Sequence, residues 1–261
     1  MRALILSDIH ANLEALQAVL AAAEGQWDEL WNLGDLVGYG GSPNQVIETM
    51  RPLETLVVRG NHDRVCCGLT SPNGFNPTAR LAALWTRNEL SAANLEWLRG
   101  MPQGPVQPQQ EGVTCVHGSP LDEDSYILNM RDAWAPLQQM TTPVTFFGHT
   151  HVQGGFSQKD HDWYELRPNH HPPNGPDNGY FDPNHAISWT VQLLPGTRHL
   201  LNPGSVGQPR DRDWRAAFAI LDVEASAITF HRVPYDLVAS QGRILMAGLP
   251  DRLAARLREG R

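Results

Sequence analysis

The sequence predicts an α/β sandwich, one β-sheet packed on another with helices outside. Three observations carry that expectation. Short strand-like apolar runs alternate with helix-period segments through residue 151. Beyond His151 the chain turns strand-rich. Five of the early strands close on Asp, His or Asn, the place where open α/β sheets put their ligands.

In chain order, residues 3–6 read as a strand that ends in Asp8-Ile9-His10. Leu13, Leu16, Val19 and Leu20 then recur at helical spacing behind Asn12, an N-cap side chain. Residues 29–32 form the next strand and lead to Gly34-Asp35. Ser42-Pro43-Asn44-Gln45 reads as a capping box with Pro at the first helical position. Residues 56–58 precede Gly60-Asn61-His62-Asp63. Asn76-Pro77 opens a helix to about Glu89, and Ser91 opens a short one ending near Arg99-Gly100. The two are read either as a helical cap beside a site, over about 76–100, or as plain packing helices. Residues 113–116 run into His117, and 144–147 into Gly148-His149-Thr150-His151. Strands over 187–194, 199–202, 215–221 and 227–232 suit the second sheet. A helix over 237–247 and another over 250–259 are separated by Gly248-Leu249-Pro250.

Residues 156–188 interrupt this order as an irregular insertion; Asn169 through Pro176 sustain neither helix nor strand. It reads as a lid in which Trp163, Tyr164, Tyr180 or Phe181 stacks on a nucleobase, or as a solvated insertion between strands. His170-His171 has no convincing pairing for a metal.

Asp8, His10, Asp35, Asn61, His117, His149 and His151 share a chemistry: all seven donate lone pairs, and only two are anionic. In-line hydrolysis of a phosphate ester needs a hydroxide at neutral pH and positive charge on the developing oxyanions, and two divalent ions supply both. With two such ions the constellation carries about +2, which attracts phosphate although the whole chain is formally −8. Imidazole with carboxylate and amide oxygen, and no thiolate, suits manganese, iron, nickel, cobalt and zinc alike; manganese is the expected metal, but the ligands by themselves do not select it. In an extended strand end, residues two apart project to one side, so Asp8 and His10 are expected to share an ion. The glycines at 34, 60 and 148 permit tight turns and close backbone approach. One Asp-x-His or His-x-His alone is common; the whole set, in this order and at strand ends, is not.

The order Asp-x-His, Gly-Asp, Gly-Asn-His-Asp, His and Gly-His-x-His resembles the calcineurin-like metallophosphoesterase superfamily, more closely its small bacterial and archaeal phosphodiesterases. Asn202-Pro203-Gly204-Ser205-Val206-Gly207 and the C-terminal Gly-Leu-Pro helix extend the likeness over nearly the whole chain, apart from about 156–188. The resemblance implies two mixed sheets in four layers, α/β/β/α, as a single domain over 1–261. It implies that Asp8, His10, Asp35 and His151 hold one metal, that Asp35 bridges, and that Asn61, His117 and His149 complete the second. His62 becomes the catalytic residue that contacts phosphate or protonates the leaving group, with Asp63 orienting its ring. Two departures stand out. Protein phosphatases and dinucleoside tetraphosphatases of the superfamily carry Gly-Asp-x-x-Asp-Arg-Gly and Gly-Asn-His-Glu, whereas this chain reads Gly34-Asp35-Leu36-Val37-Gly38-Tyr39-Gly40 and ends the second motif in Asp63. The missing Asp-Arg pair argues against protein phosphatase activity. Ala11 stands where Gly often follows Asp-x-His. The expected activity is hydrolysis of small nucleotide-like phosphodiesters by metal-activated hydroxide. Phosphomonoester hydrolysis is the alternative, and a non-catalytic scaffold is disfavoured because every ligand and His62 are present.

Composition narrows the remainder. The first eight residues hold too short an apolar run for a signal peptide, and no run reaches the ~18 apolar residues of a membrane helix, so a soluble cytoplasmic enzyme is expected. The acidic balance argues against a duplex nucleic acid partner. Cys66, Cys67 and Cys115 lack zinc spacing and read as free thiols. Lys159 is the one lysine, a skew that fits a G+C-rich genome and also favours phosphate-gripping arginines. Arg64, beside His62-Asp63, and Arg210, after the Asn202–Gly207 turn, are the candidates for substrate phosphate. Composition leaves the oligomeric state open.

Overall fold

The computed structural model describes residues 1–53, 55–168 and 185–261. Two mixed sheets form its centre. The first has the order β3-β2-β1-β10-β11-β8, with β1 (Arg2–Leu6), β2 (Glu29–Asn32), β3 (Leu56–Val57), β8 (Ile187–Gln192), β10 (Ala216–Asp222) and β11 (Ala227–Val233). Its β1, β2 and β3 are parallel and the other pairings antiparallel. The second is ordered β4-β5-β9-β6-β7, from β4 (Val113–Cys115), β5 (Val144–Phe146), β6 (Gly154–Lys159), β7 (Asp162–Leu166) and β9 (Arg198–Asn202).

Strand periodicity explains why two sheets face each other. In β1, Ala3 and Ile5 point into a core shared with Val113, Cys115, Val144, Phe146 and Leu201 of the second sheet. Leu4 and Leu6 point the other way, under α1 (Leu13–Ala22) and α2 (Pro43–Met50). Both faces of β1 are covered, which is why it reads as an unbroken apolar run. Trp31 and Phe146 meet in the inner core with centroids 6.4 Å apart; truncating either to Ala would cost about 3–5 kcal/mol. On the far side of the second sheet, Ala133 and Leu137 of α6 (Met130–Gln139) pack on Phe147, Phe156 and Leu200.

Several expectations need correction. The strands beyond His151 do not build the second sheet by themselves: β8, β10 and β11 extend the first, and β9 alone of that group joins β4 and β5. The burial pattern of β10 explains this, since nearly all of it is inside, as a central strand between β1 and β11 requires. The insertion expected from 156 begins instead as a hairpin, β6 with β7, on the edge of the second sheet. Trp163 packs there against the Phe156 cluster and Tyr164 is exposed. His170, His171, Tyr180 and Phe181 lie outside the described residues. Asn12 caps α1 by accepting from the Ala15 N–H, as expected, whereas the Ser42 side chain caps nothing and Pro43 alone marks the start of α2. Two helices went unread in the sequence, α3 (Asn61–Cys66) and α6, the latter because Pro136 sits inside it. The remaining helices, α4 (Pro77–Glu89), α5 (Ala92–Arg99), α7 (Leu237–Met246) and α8 (Asp251–Glu259), match expectation. Among the described residues no helix is long and apolar enough to cross a membrane.

Candidate active site

The carboxyl ends of β1, β2 and β3 from one sheet meet those of β4 and β5 from the other. The turns beyond them carry the predicted residues. Asp8, His10, Ala11, Asp35, Tyr39, His149 and His151 all have φ between 49° and 65°. That is the left-handed region, sparsely used by non-glycine residues and costly by about 1–2 kcal/mol each. Asp8 and His10 therefore converge through a left-handed turn, not through the extended geometry their spacing suggested. Lateral hydrogen bonds hold the strain: Asp8 N–H donates to Gly34 O at 3.0 Å, His10 N–H to Asp35 O at 2.9 Å, and Ala11 N–H to Leu36 O at 2.8 Å. Glycine is obligatory at two close approaches. A Cβ at Gly148 would strike the Ser7 hydroxyl, and one at Gly60 the Asp35 carboxylate.

Both carboxylates are used in the same way. Asp8 Oδ2 accepts from the Ser7 hydroxyl at 2.7 Å and the His149 N–H at 3.0 Å, while Oδ1 is buried without a donor, 3.3 Å from His151 Nε2. Asp35 Oδ1 accepts the His62 N–H at 2.8 Å. Its Oδ2 lies 3.6 Å from His10 Nε2 and 3.5 Å from His117 Nε2. One oxygen of each carboxylate thus fixes it to the scaffold, and the other faces imidazoles.

The rings are oriented by carbonyls. Nδ1 of His10, His117 and His151 pairs with Val37 O (3.1 Å), Leu33 O (2.8 Å) and Gln208 O (2.6 Å). A carbonyl only accepts, so each Nδ1 carries its proton and in the neutral ring Nε2 keeps the lone pair. His10 Nε2 and His151 Nε2 then stand 3.1 Å apart. Burial, then the neighbouring His151 or Arg210, pushes both rings below the usual histidine pKa, so two lone pairs face each other. His149 is turned over: its Nε2 meets Asp124 O at 3.1 Å, which leaves the Nδ1 lone pair. Burial and His117 lower its pKa to about 3. Asp35 is pushed up by burial and by Asp63 and Asp8. Burial also opposes charge on His117, yet Asp35 and Asp8 outweigh it and its pKa rises.

Ligand atoms of Asp8, His10, Asp35 and His151 lie within 4.8 Å of one another, and so do those of Asp35, His117 and His149. Asp35 belongs to both groups. Asn61 Oδ1 lies 3.1 Å from His117 Nε2 and extends the second group. An orphaned carboxylate oxygen among converging imidazole lone pairs is satisfied by a cation, so the donor set fits two divalent ions.

Beside this floor lies a cleft of about 450 Å³ lined by Tyr39, His62, Phe75, Tyr126 and His149 among others. His62 is held between Tyr39 and Phe75, with ring centroids 4.4 Å and 4.5 Å away, and its Nδ1 is buried without a partner. Burial and then Arg210 lower its pKa well below the usual value. Tyr126 stacks on His149 at 4.1 Å.

Two expectations fail in detail. Asp63 does not touch the His62 ring: its carboxylate accepts from Asp35 N (2.7 Å), Gly60 N (2.9 Å) and Val37 N (3.3 Å), because α3 places it under the two loops. Arg64 lines the cleft but is taken up by Glu123 at 2.6 Å and Asp124 at 2.5 Å. The amides of Val206 and Gly207, in the turn before Arg210, donate to Ser7 O and Asp8 O, at 3.0 Å each. Arg210 does stand near the floor, its guanidinium 5.9 Å from the Tyr39 ring. Of the helical cap, the start of α4 (Asn76, Ala79) lines the cleft. Sequence reasoning missed Tyr39, Phe75 and Tyr126; only Tyr39, four residues after Asp35, had a positional signal. The three cysteines are buried and free, and burial pushes all three thiols up.

The profile of the calcineurin-like phosphoesterase superfamily domain matches residues 1–226. The solved structure of a metallophosphoesterase from Sphaerobacter thermophilus is 39% identical, covers 100% of this chain and 99% of its own, and superposes with a TM-score of 0.82. MJ0912, an uncharacterised protein of Methanocaldococcus jannaschii, is 31% identical over 98% of this chain and 97% of its own length. The symmetrical bis(5'-nucleosyl)-tetraphosphatase of Erwinia tasmaniensis is 30% identical over 45% of this chain and 44% of its own length. This chain belongs to the calcineurin-like phosphoesterase superfamily, whose members are metal-dependent phosphoric ester hydrolases.

Proposed function

From that membership we propose that the chain, acting as a single domain, is a dinuclear phosphodiesterase for small nucleotide-like esters. The observation that carries this reading is Asp35 Oδ2, set at 3.6 Å and 3.5 Å from imidazoles of the two groups. One ion would be held by Asp8, His10, Asp35 and His151, the other by Asp35, Asn61, His117 and His149. Two divalent ions, manganese first, would supply a strong nucleophile from water at neutral pH and positive charge on the phosphate oxygens.

The chain's own residues do the rest. The carbonyl-bound Nδ1 atoms keep the Nε2 lone pairs aimed inward, and Asp63 locks the Asp35 loop to Gly60. His62 lines the cleft beside the floor, where a substrate phosphate would lie. Its neutral ring donates one N–H, and an anionic phosphate beside it favours the protonated ring that a leaving oxygen needs. Arg210 adds positive charge on the Tyr39 side. The aromatic walls give a nucleoside or aryl group two faces to lie against, which favours an ester with an organic group on each side of phosphorus. The partial likeness to a nucleotide hydrolase points the same way.

The test is kcat/KM of metal-stripped protein reloaded with Mn²⁺ on bis-p-nitrophenyl phosphate and p-nitrophenyl phosphate. A faster diester supports the proposal. A faster monoester replaces it with a phosphatase, and inactivity across Mn, Fe, Ni, Co and Zn replaces it with a scaffold.

A further inference from the structure

The two sides of the cleft differ in charge. On one side Arg64 is neutralised by Glu123 and Asp124. On the other side Arg210 and Arg256 each place a guanidinium 5.9 Å from the Tyr39 ring, the same ring that packs 4.4 Å from His62. Arg252 precedes Arg256 by one helical turn of α8, so the two share a face. With Asn76, Pro77 and Thr78 at the start of α4, they line a second cleft of about 400 Å³. Asn76 borders both clefts.

Among the described residues, no Asp or Glu side chain pairs with these three arginines. Arg210 donates to the Gln208 side-chain oxygen at 2.9 Å, and Arg256 through Nε alone to the main-chain oxygen of the last residue, Arg261, at 2.5 Å, which leaves the rest of its guanidinium fork unused by it. Burial, then Arg210, and then Arg252 further along, lower the Arg256 pKa. In a chain whose formal charge is −8, three guanidiniums gathered with no acidic side chain paired to them make a local positive field beside the floor, which draws an anion to it. Arginine's planar fork suits phosphate oxygens. Pro77 and Thr78 begin a helix of 13 residues, whose positive end adds to the same field.

We propose that Arg210, Arg256 and Arg252 bind a second phosphoryl group of the substrate, so that the natural substrate carries a phosphate beyond the one that is hydrolysed. The proposal rests on the phosphodiesterase reading and sharpens it. It places the extra phosphate on the Tyr39 side, toward α8, and not on the Arg64 side. The class this selects is phosphorylated dinucleotides and related diesters with an anionic arm.

The test compares a 5'-phosphorylated diadenosine dinucleotide with the same dinucleotide lacking that phosphate, by chromatography of the products. Native protein is expected to prefer the phosphorylated compound by about tenfold or more in kcat/KM, the worth of one charged hydrogen-bonded pair. In R252Q/R256Q that ratio is expected to collapse to within about twofold. Because it is a ratio within one protein, partial loss of fold cancels. R258Q, on the opposite face of α8, removes an equal charge and is expected to keep the ratio. A native ratio near one, a ratio that survives in the double variant, or one that R258Q also abolishes would overturn the proposal. Turnover of bis-p-nitrophenyl phosphate with neither dinucleotide cleaved overturns it alone, whereas inactivity on all three compounds removes the phosphodiesterase reading as well.

Discussion

The floor of the site and the wall of its cleft are built on opposite principles. Every floor residue except Asn61 is at most 5% exposed, and each stands in a turn fixed by its neighbours' hydrogen bonds. The wall comes from the loop after β2, the start of α4 and the segment before α6, and its Tyr126 is 48% exposed. The floor is over-determined and so admits one arrangement of donors. The wall is held by ring contacts and, at Tyr126, is open to solvent. Chemistry belongs to the first and choice of substrate to the second.

Substitutions separate the two, beginning with the largest effect. Asp35→Asn should remove the anion common to both groups and lower kcat/KM on the order of 10³-fold for every substrate, with metal content per chain falling in parallel. Elemental analysis beside the kinetics checks this; full metal content in an inactive variant would break the link. His62→Ala should lower kcat on the order of 10²-fold while metal content stays at the native value. Equal loss of metal would move His62 into the floor.

The boundary between floor and wall also marks what was legible in the sequence. Each floor residue sits next to a strand end, so apolar runs point to it, and the glycines beside it answer to steric needs that leave a residue-level trace. Tyr126 has no such trace: its position depends on the path of the segment after β4, and an exposed tyrosine looks like any other. Asp63 shows the same limit within the floor. Its neighbour His62 suggested an orienting bond, yet the helical turn of α3 aims the carboxylate at Asp35, Val37 and Gly60. Strand existence was readable for β8, β10 and β11, but not their sheet, because a buried strand's residues do not state which neighbours they pair with.

Asp63→Asn tests that correction: it should cost about 1–3 kcal/mol in urea unfolding by leaving amide donors unpaired. The pH profile of kcat should keep its shape, whereas a shift of the His62 limb would restore the orienting role. On the wall, Tyr126→Ala should raise KM about tenfold for aryl or nucleoside diesters and leave kcat within a factor of about two. A larger change in kcat would assign Tyr126 to the floor through its stack on His149.

One further effect lies outside both regions and leaves activity untouched. Burial lowers the pKa of His199 and of His231 to about 4. Above their unfolded value of ~6.5 both states are neutral and nothing is lost. Below it the unfolded chain binds protons that the fold refuses, so stability falls as pH drops from ~6.5 to ~4 and then levels, by at most about 1.4 kcal/mol per pH unit for each ring. Urea titrations of His199→Gln and His231→Gln should show flatter pH dependence; an unchanged slope would exclude these rings as its source.

The amide of His149 reaches the carboxylate of Asp8 across 141 residues of chain. The group of Asp8, His10, Asp35 and His151 draws on both ends of that span, so it does not exist until the strands there have docked. An ion held there would act as a rivet, driven only after assembly is complete. Its binding free energy would be added to native stability alone, about 2.7 kcal/mol at a hundredfold excess over Kd. A nascent chain would have no use for the metal until the last contact closed, and a finished one would be slow to come apart while it stayed.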